Sequence, residues 1–471
     1  MNQPVSQLQN VFDQQRARFS FASVPSVGER IIQLRALGDA LRKAEGDLVE
    51  AVNEDFGGRN SIESRSAEIA VCIGTINDTI KHLKKWAKPR RMANLGNSIP
   101  GKTYIQRQAK GIIGVISPWN YPVQLALVPT ITALAAGNRV MLKPSELTPA
   151  TNQVLTDILG AVFDDSQVAV ITGEADVGKA FSELPFDHLF YTGSTQVGRL
   201  VAMAAASNLT PVTLELGGKS PCLMMPDASP DTHSQLVTFG KVYNAGQTCV
   251  APDYLLVPKG QAKDYAKAVI DHANAFFNDP AQPETYTAII SEKHHQRLTS
   301  MVDEARAGGA EVIKADKVGA SNPRCYPPTV VLSPDPDGTL MKEEIFGPVL
   351  PIVEYEKLDD ALDYINQRDH PLALYVFGQD TKAAESVLDQ TTSGGATING
   401  TIFHVAVEHL PFGGVGKSGY GAYHGERGFA ELSHERSVLV FPRWKFLTEL
   451  VTPPFGKAIS YFTGKLIDKR R

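Results

Sequence analysis

Apolar side chains in the N-terminal part of the chain recur at three- and four-residue steps. Leu34, Leu37, Leu41, Ala44, Leu48 and Val52 fall on one face of a helix, and Gly57-Gly58 stops the pattern. A polar, proline-flanked stretch runs from Lys88-Pro89 to Pro100-Gly101. Thr103–Gln108 then mixes Tyr104 and Ile105 with Gln106 and Arg107, an imperfect alternation that reads as an exposed strand. From Gly111 the pattern changes to short apolar runs separated by helical segments. Gly111–Ile116, Arg139–Leu142, Val168–Ile171, His188–Tyr191 and Val212–Leu216 each end near a glycine, proline, hydroxyl or charged residue. Runs of this kind are strands of a doubly wound parallel sheet. Ser220–Met225, Tyr254–Val257, Glu311–Ile313, Thr329–Leu332, Leu350–Tyr355 and Ala373–Phe377 form a second series, and predict a second α/β domain.

Size and composition fit that reading. A chain of 471 residues exceeds one ordinary core, and 43% hydrophobic with 21% charged residues is a globular balance. The net charge of −5 carries no long single-sign block, so no nucleic-acid surface is expected. Met1–Ser20 is polar and lacks the apolar core of an export signal. The nearest approach to a membrane span, Gly111–Asn138, is broken by Pro118, Asn120, Pro122 and Pro129, so no integral membrane segment is expected. Cys72, Cys222, Cys249 and Cys325 form no CxxC pair. That argues against a metal site and for a reducing, cytoplasmic setting.

Several segments carry candidate chemistry, and each alone also fits an ordinary loop or turn. Gly173–Ala180 (GEADVGKA) has the spacing of a phosphate-cradling loop, but Ala180 stands where a magnesium-binding hydroxyl belongs. It reads as a strand-to-helix turn. Phe190–Gly198 (FYTGSTQVG) is a strand, a glycine turn and a helix start, where free N–H groups can face a diphosphate. Lys143-Pro144-Ser145-Glu146 follows a strand at the carboxyl edge of the sheet, where ligands bind. Small and polar neighbours around Cys249 in Asn244–Val250 leave its sulfur accessible. A thiol titrating near about pH 8.5 needs a helper to react. Glu215 ends a strand between apolar neighbours, where desolvation raises a carboxyl toward general-base range. Asn120, in the rigid turn Pro118–Pro122, can donate to a developing oxyanion. Glu343–Pro348 pairs carboxylates with Phe346, a ring able to pack on a flat heterocycle.

Together these segments resemble the aldehyde dehydrogenase superfamily. PWNYP, KPSE, FYTGSTQVG, LELGGKSP, NAGQTC, EEIFGPV and PFGGVGKSG occur in the family's order, and the resemblance runs from about Arg30 to Phe441. PWNYP, NAGQTCVAPDY and HLPFGGVGKSGYGAYHGERGF followed by SHER are most similar to the class 3 branch. Within that branch they are similar to the bacterial members that oxidise coniferyl aldehyde. The resemblance implies an α/β fold with a Rossmann-like cofactor domain, an α/β catalytic domain and a small β tongue used in oligomer formation. On this chain the NAD(P)-binding domain is expected at 1–98 and 112–216 and the catalytic domain at 217–408. Oligomerisation and bridging segments are expected at 99–111 and 409–445, with a C-terminal tail at 446–471.

The implied reaction oxidises a hydrophobic aldehyde, aromatic such as coniferyl aldehyde or medium- to long-chain aliphatic, to its acid through a thioester. By resemblance Cys249 is the nucleophile, Asn120 and the Cys249 N–H hold the oxyanion, and Glu215 activates water. Lys143 and Glu146 are expected at the adenine ribose, Gly193 and Ser194 at the diphosphate, and Glu344 with Phe346 at the nicotinamide ribose. NAD is the expected cofactor and NADP a possible one, since Glu146 repels a 2′-phosphate. His404 lines the substrate entrance or is a packed loop histidine. A homodimer is expected, with no nucleic-acid partner. Arg470 and Arg471 either touch an anionic surface or end a solvated tail. Two other readings share the fold: a coenzyme A-acylating enzyme, disfavoured by the intact Glu215, and a structural protein, which would not need Cys249 or Asn120.

Overall fold

The computed structural model describes residues 3–92, 101–277, 286–316, 318 and 322–467. Arg470 and Arg471 lie outside the described residues. In chain order the strands begin with β1 (Arg90–Met92) and β2 (Lys102–Ala109). They continue with β3 (Ile112–Ile116), β4 (Arg139–Lys143), β5 (Val168–Val170), β6 (His188–Gly193) and β7 (Val212–Leu216). Next come β8 (Pro221–Met224), β9 (Tyr254–Pro258), β10 (Glu311–Lys314), β11 (Thr329–Leu332), β12 (Val349–Tyr355), β13 (Ala373–Phe377) and β14 (Gly395–Ile398). β15 (Gly419–Tyr420) and β16 (Ser433–Val440) close the series.

The chain divides into two compact units. The larger consists of the described residues of Met1–Trp86 and Ala109–Ser433, and holds two sheets flanked by helices. One has the order β15-β7-β6-β3-β4-β5, parallel except for the edge strand β15. The other has the order β10-β11-β12-β9-β8-β13-β14, parallel except for β10. Central strands such as β3, β8, β11 and β13 are buried along nearly their whole length, which is why they read as unbroken apolar runs. The mixed parallel α/β architecture expected from the sequence is present. β15 lies inside the segment 409–445 and returns to cover the free edge of β7, pairing Gly419 with Glu215.

Helices follow their apolar spacing, with one correction. Leu34, Leu37, Leu41, Leu48 and Val52 are all buried, but they belong to two helices, Val27–Lys43 and Glu45–Phe56, broken at Ala44. Ser26 and Glu29 cap the first reciprocally, and Gly57 ends the second at φ 65°. Gly173–Ala180 does join β5 to a helix, Ala175–Ser182. The stretch 111–138 divides into β3 and the helix Gln124–Ala135, every residue of which is buried. Among the described residues no helix is long and apolar enough to cross a membrane.

The smaller unit comprises the described residues of Ala87–Gln108 and His434–Arg471. Its sheet has the order β1-β2-β16, and Arg107 Nε donates to Glu435 Oε1 at 2.9 Å. β2 is the half-exposed strand anticipated at 103–108. β16 is an edge strand with Leu439 and Val440 about half exposed.

Candidate active site

The loop that carries Cys249 is strained and heavily pinned. After the helix Pro230–Val242 the chain passes through Asn244 (φ 52°), Ala245 (φ 50°) and Gly246 (φ 70°), three successive left-handed residues. For the two that are not glycine this costs roughly 1–2 kcal/mol each. Gly246 is required, because a Cβ there would meet the Gly347 carbonyl at 2.4 Å. Side-chain hydrogen bonds offset the strain. Gln247 Nε2 donates to the carbonyls of Asn244 and Ala288, both at 3.0 Å, and its Oε1 accepts from Ile290 N at 2.9 Å. Glu63 Oε2 accepts from Asn244 N at 3.2 Å and from Thr287 Oγ1 at 2.7 Å.

Cys249 sits where two cavities meet. The first, about 250 Å³, is walled by Leu125, Phe239, Tyr243, Phe403, Phe412 and Tyr423 among others. Phe239 and Phe403 stack at 16° with centroids 5.8 Å apart. The second, about 530 Å³, also contains Cys249 and adds Asn120, Gly193, Ser194, Glu215, Glu344 and Phe346. Seven of the nine site residues anticipated above therefore line one cleft. Lys143 and Glu146 do not line it. Lys143 ends β4 and Glu146 lies just beyond it, the two paired at 3.1 Å. The Glu146 charge reaches Tyr191, whose hydroxyl accompanies Ser194.

Each cleft residue has a definite anchor. Asn120 is 3% exposed, and its Nδ2 donates to the Gln247 carbonyl at 3.0 Å. Ser194 caps the helix Thr195–Ala206, its hydroxyl accepting from Val197 N, so that helix presents its N-terminal end at the cleft. Glu344 fills the space where a Cβ on Gly217 would stand, and the nearby Gly218 N–H favours its charged form. Phe346 adopts φ 50° and meets Trp119 edge to face at 5.3 Å. Arg297 ties this segment down by donating to the carbonyls of Glu344 and Ile345.

Burial governs the titrations. Glu215 is 3% exposed with neither carboxyl oxygen hydrogen-bonded. Desolvation, then the Glu431 charge, hold its pKa well above the ordinary carboxyl range. Removal from water, then the charges of Glu344 and Glu215, push the Cys249 thiol up to about 12, against the pull of the N–H groups of Cys249 and Val250. Glu344 rises to about 8 through burial and Asp253, opposed by the Gly218 N–H, Lys219 and Arg297. Lys241, buried beneath, falls to about 8 by desolvation.

A family model described as the aldehyde dehydrogenase family matches residues 5–438. The chain belongs to the aldehyde dehydrogenase family. A probable coniferyl aldehyde dehydrogenase of Pseudomonas aeruginosa is 45% identical over 464 residues, covering 98% of this chain and 97% of the relative. A dimeric NADP-preferring aldehyde dehydrogenase of Rattus norvegicus is 38% identical, covering 93% of this chain and 95% of the relative. The solved structure of Staphylococcus aureus AldH in a substrate-bound state superposes with a TM-score of 0.91 at 36% identity, covering 98% of this chain and 99% of that one.

Several residues of this aldehyde dehydrogenase's site were missed in the sequence. Arg59, Glu63 and Glu68 carry no signal in the sequence, yet all three are buried beside the cysteine loop and the Asn120 turn. Arg297 and His294 also line the cleft without a local signal, and so does Thr192, which stands inside the FYTGSTQVG segment but was not picked out there. His404 packs below the apolar cavity, its Nδ1 at 3.1 Å from Thr397 Oγ1 and its pKa lowered to about 4 by burial. Its neighbours Phe403, Val405 and Ala406 form the wall.

Proposed function

We propose that this enzyme oxidises hydrophobic aldehydes to carboxylic acids through a thioester on Cys249, with NAD as cofactor and NADP as the alternative. The observation that carries the reading is the placement of one thiol between an aromatic-walled cavity and a polar, glycine-lined cleft. The first suits an aromatic aldehyde such as coniferyl aldehyde, or a medium- to long-chain aliphatic one. The relative from Pseudomonas aeruginosa bears coniferyl aldehyde in its name.

The cleft fits a dinucleotide on three counts. It lies against a helix N-terminus at Ser194. Gly193 and Gly217 line it with bare main chain, against which Tyr191 and Glu344 close where a Cβ would clash. Glu215 and Thr192 aim buried polar atoms with no partner at it. Gly193 and Ser194 would hold the diphosphate, Lys143 and Glu146 the adenine ribose, and Glu344 with Phe346 the nicotinamide ribose. Bound there, the nicotinamide supplies the acceptor for hydride from the aldehyde carbon.

The chain's own groups do the rest. Cys249, deprotonated with the help of Glu215, adds its sulfur to the aldehyde carbon. The resulting alkoxide takes hydrogen bonds from the Asn120 amide and the Cys249 N–H, each worth roughly 3–4 kcal/mol of barrier. After loss of hydride the carbon is a thioester. Glu215 takes a proton from water, the hydroxide adds, and the C–S bond breaks to release acid and thiolate. Self-association as a homodimer is supported by the exposed edge strand β16 and by the dimeric rat relative's name.

Purified enzyme assayed against aliphatic and aromatic aldehydes with each cofactor tests this. Hydrophobic aldehydes should give the highest kcat/KM, and Cys249→Ala should abolish oxidation while cofactor still binds. A best substrate of acetaldehyde size, or acyl label trapped on another cysteine by peptide mass spectrometry, would overturn it.

A further inference from the structure

One side of the site is held by charges that no step of the proposed chemistry consumes. Arg59 and Glu68 have side chains 0% and 1% exposed, 3.0 Å apart. The guanidinium lies near the rings of Phe56 and Tyr121, at 4.6 and 5.1 Å from their centroids. Its Nη1 donates to the main-chain carbonyl of Asn120 at 2.9 Å. Glu68 Oε2 accepts from the main-chain N–H groups of Val123 and Gln124, both at 2.9 Å. A single ion pair thus grips the segment Asn120–Gln124 at both ends, the cation on the Asn120 carbonyl and the anion on the Val123 and Gln124 amides. Asn244 Nδ2 supplies a second donor to the same carbonyl at 3.0 Å.

The side chain of Asn120 is anchored as well. One N–H goes to the Gln247 carbonyl at 3.0 Å. A carboxamide nitrogen carries two, so the other is free for the cleft that Asn120 shares with Cys249. A buried ion pair is a poor source of stability, because desolvation offsets the attraction. What this pair adds is direction.

We propose that Arg59, held by Glu68, is a positioning residue for the oxyanion. It fixes the main chain of Asn120 so that the second amide N–H meets the oxygen that becomes negative when Cys249 adds to the aldehyde. This rests on the reading of Asn120 as oxyanion donor. Displacing a catalytic donor by about 1 Å can cost roughly a hundredfold in rate, while cofactor and substrate contacts elsewhere are untouched.

The test is rapid-mixing kinetics of the full-length enzyme with the cofactor it turns over. The rate of the reduced-cofactor burst is expressed per active site, with sites counted from the burst amplitude. Arg59→Met should slow the burst about tenfold to a hundredfold, with cofactor Kd within about twofold of wild type, and Arg59→Lys should recover part of the loss. In an Asn120→Ala background Arg59→Met should add less than about twofold, because the donor it positions is already gone. If Arg59→Met fails to fold, the double variant Arg59→Met, Glu68→Met leaves that pair with no unpaired charge and should show the same slowing. A wild-type burst rate per titrated site in the variant that folds, or losses that multiply with Asn120→Ala, would overturn the proposal. A wild-type burst in Asn120→Ala alone would instead defeat the oxyanion reading itself.

Discussion

Replacing Glu215 by glutamine should cripple turnover while making the protein no less stable. Both carboxyl oxygens are buried and accept no hydrogen bond, so the isosteric amide forfeits no contact. A general base contributes roughly 10²–10⁴ in rate, or about 2.7–5.5 kcal/mol at 1.36 kcal/mol per decade, and Glu215→Gln should slow thioester hydrolysis by that range. Mixed rapidly with aldehyde and cofactor, the variant should release about one equivalent of reduced cofactor per site and then turn over slowly, as accumulated acyl-enzyme does. A smaller or slower burst would mean that Glu215 also draws the proton from Cys249. The stability arm has a definite sign. Native Glu215 holds its proton above the pH at which the unfolded carboxyl, near 4.5, loses it. Wild-type stability therefore falls as pH rises past that value, by up to about 1.4 kcal/mol per pH unit, until the native group ionises. The glutamine variant pays no such penalty, so its Tm should match wild type at pH 4 and exceed it at pH 8. A full-rate steady state without a burst, or a lower Tm at pH 8 with unchanged turnover per folded molecule, would remove Glu215 from the mechanism.

The titration of Cys249 makes a separate prediction: with a thiol near 12 in the free enzyme, alkylation by iodoacetamide should accelerate about tenfold per pH unit from neutral upward, and a plateau at neutral pH would contradict it. Because the Glu344 charge raises that thiol, Glu344→Gln should speed alkylation at a fixed pH. Cofactor choice is expected to favour NAD, since the Glu146 carboxylate repels a 2′-phosphate. Glu146→Gln should shift the kcat/KM ratio toward NADP, and an unchanged ratio would separate Glu146 from cofactor selection.

How much of this was legible in the sequence follows from how each signal arises. Strands such as Thr329–Leu332 and Ala373–Phe377 were readable to the residue because both faces are buried, which makes them short, nearly unbroken apolar runs. β14 was not, because Gly395–Ile398 is a half-buried edge strand of small residues with no apolar run to announce it. The break at Ala44 was hidden because Leu41 and Leu48 keep helical spacing across it. In the site, Cys249 and Asn120 stand in turns and Glu215 near the end of a strand, each beside small, polar or proline residues that mark it in the sequence. Arg59, Glu63 and Glu68 carry no such mark. Their partners lie 61 residues away at Asn120, 181 at Asn244 and 55 at Val123, and a charged side chain looks solvated until the fold supplies a partner to bury it.

On the proposed reading, the meeting of two cavities at one sulfur separates what the enzyme acts upon from what it acts with. Phe239, Phe403 and Val405 border the aromatic side alone, whereas Gly193, Glu344 and Phe346 border only the polar side. Variation on the first set can therefore retune the range of aldehydes accepted without disturbing the machinery of the second. On that reading inhibitors inherit the same partition: an electrophile carrying a long apolar tail should alkylate Cys249 from the aromatic side whether or not dinucleotide is added. Leu125, the other residue common to both cavities, is the place where that independence ends, and enlarging it should trouble both occupants together.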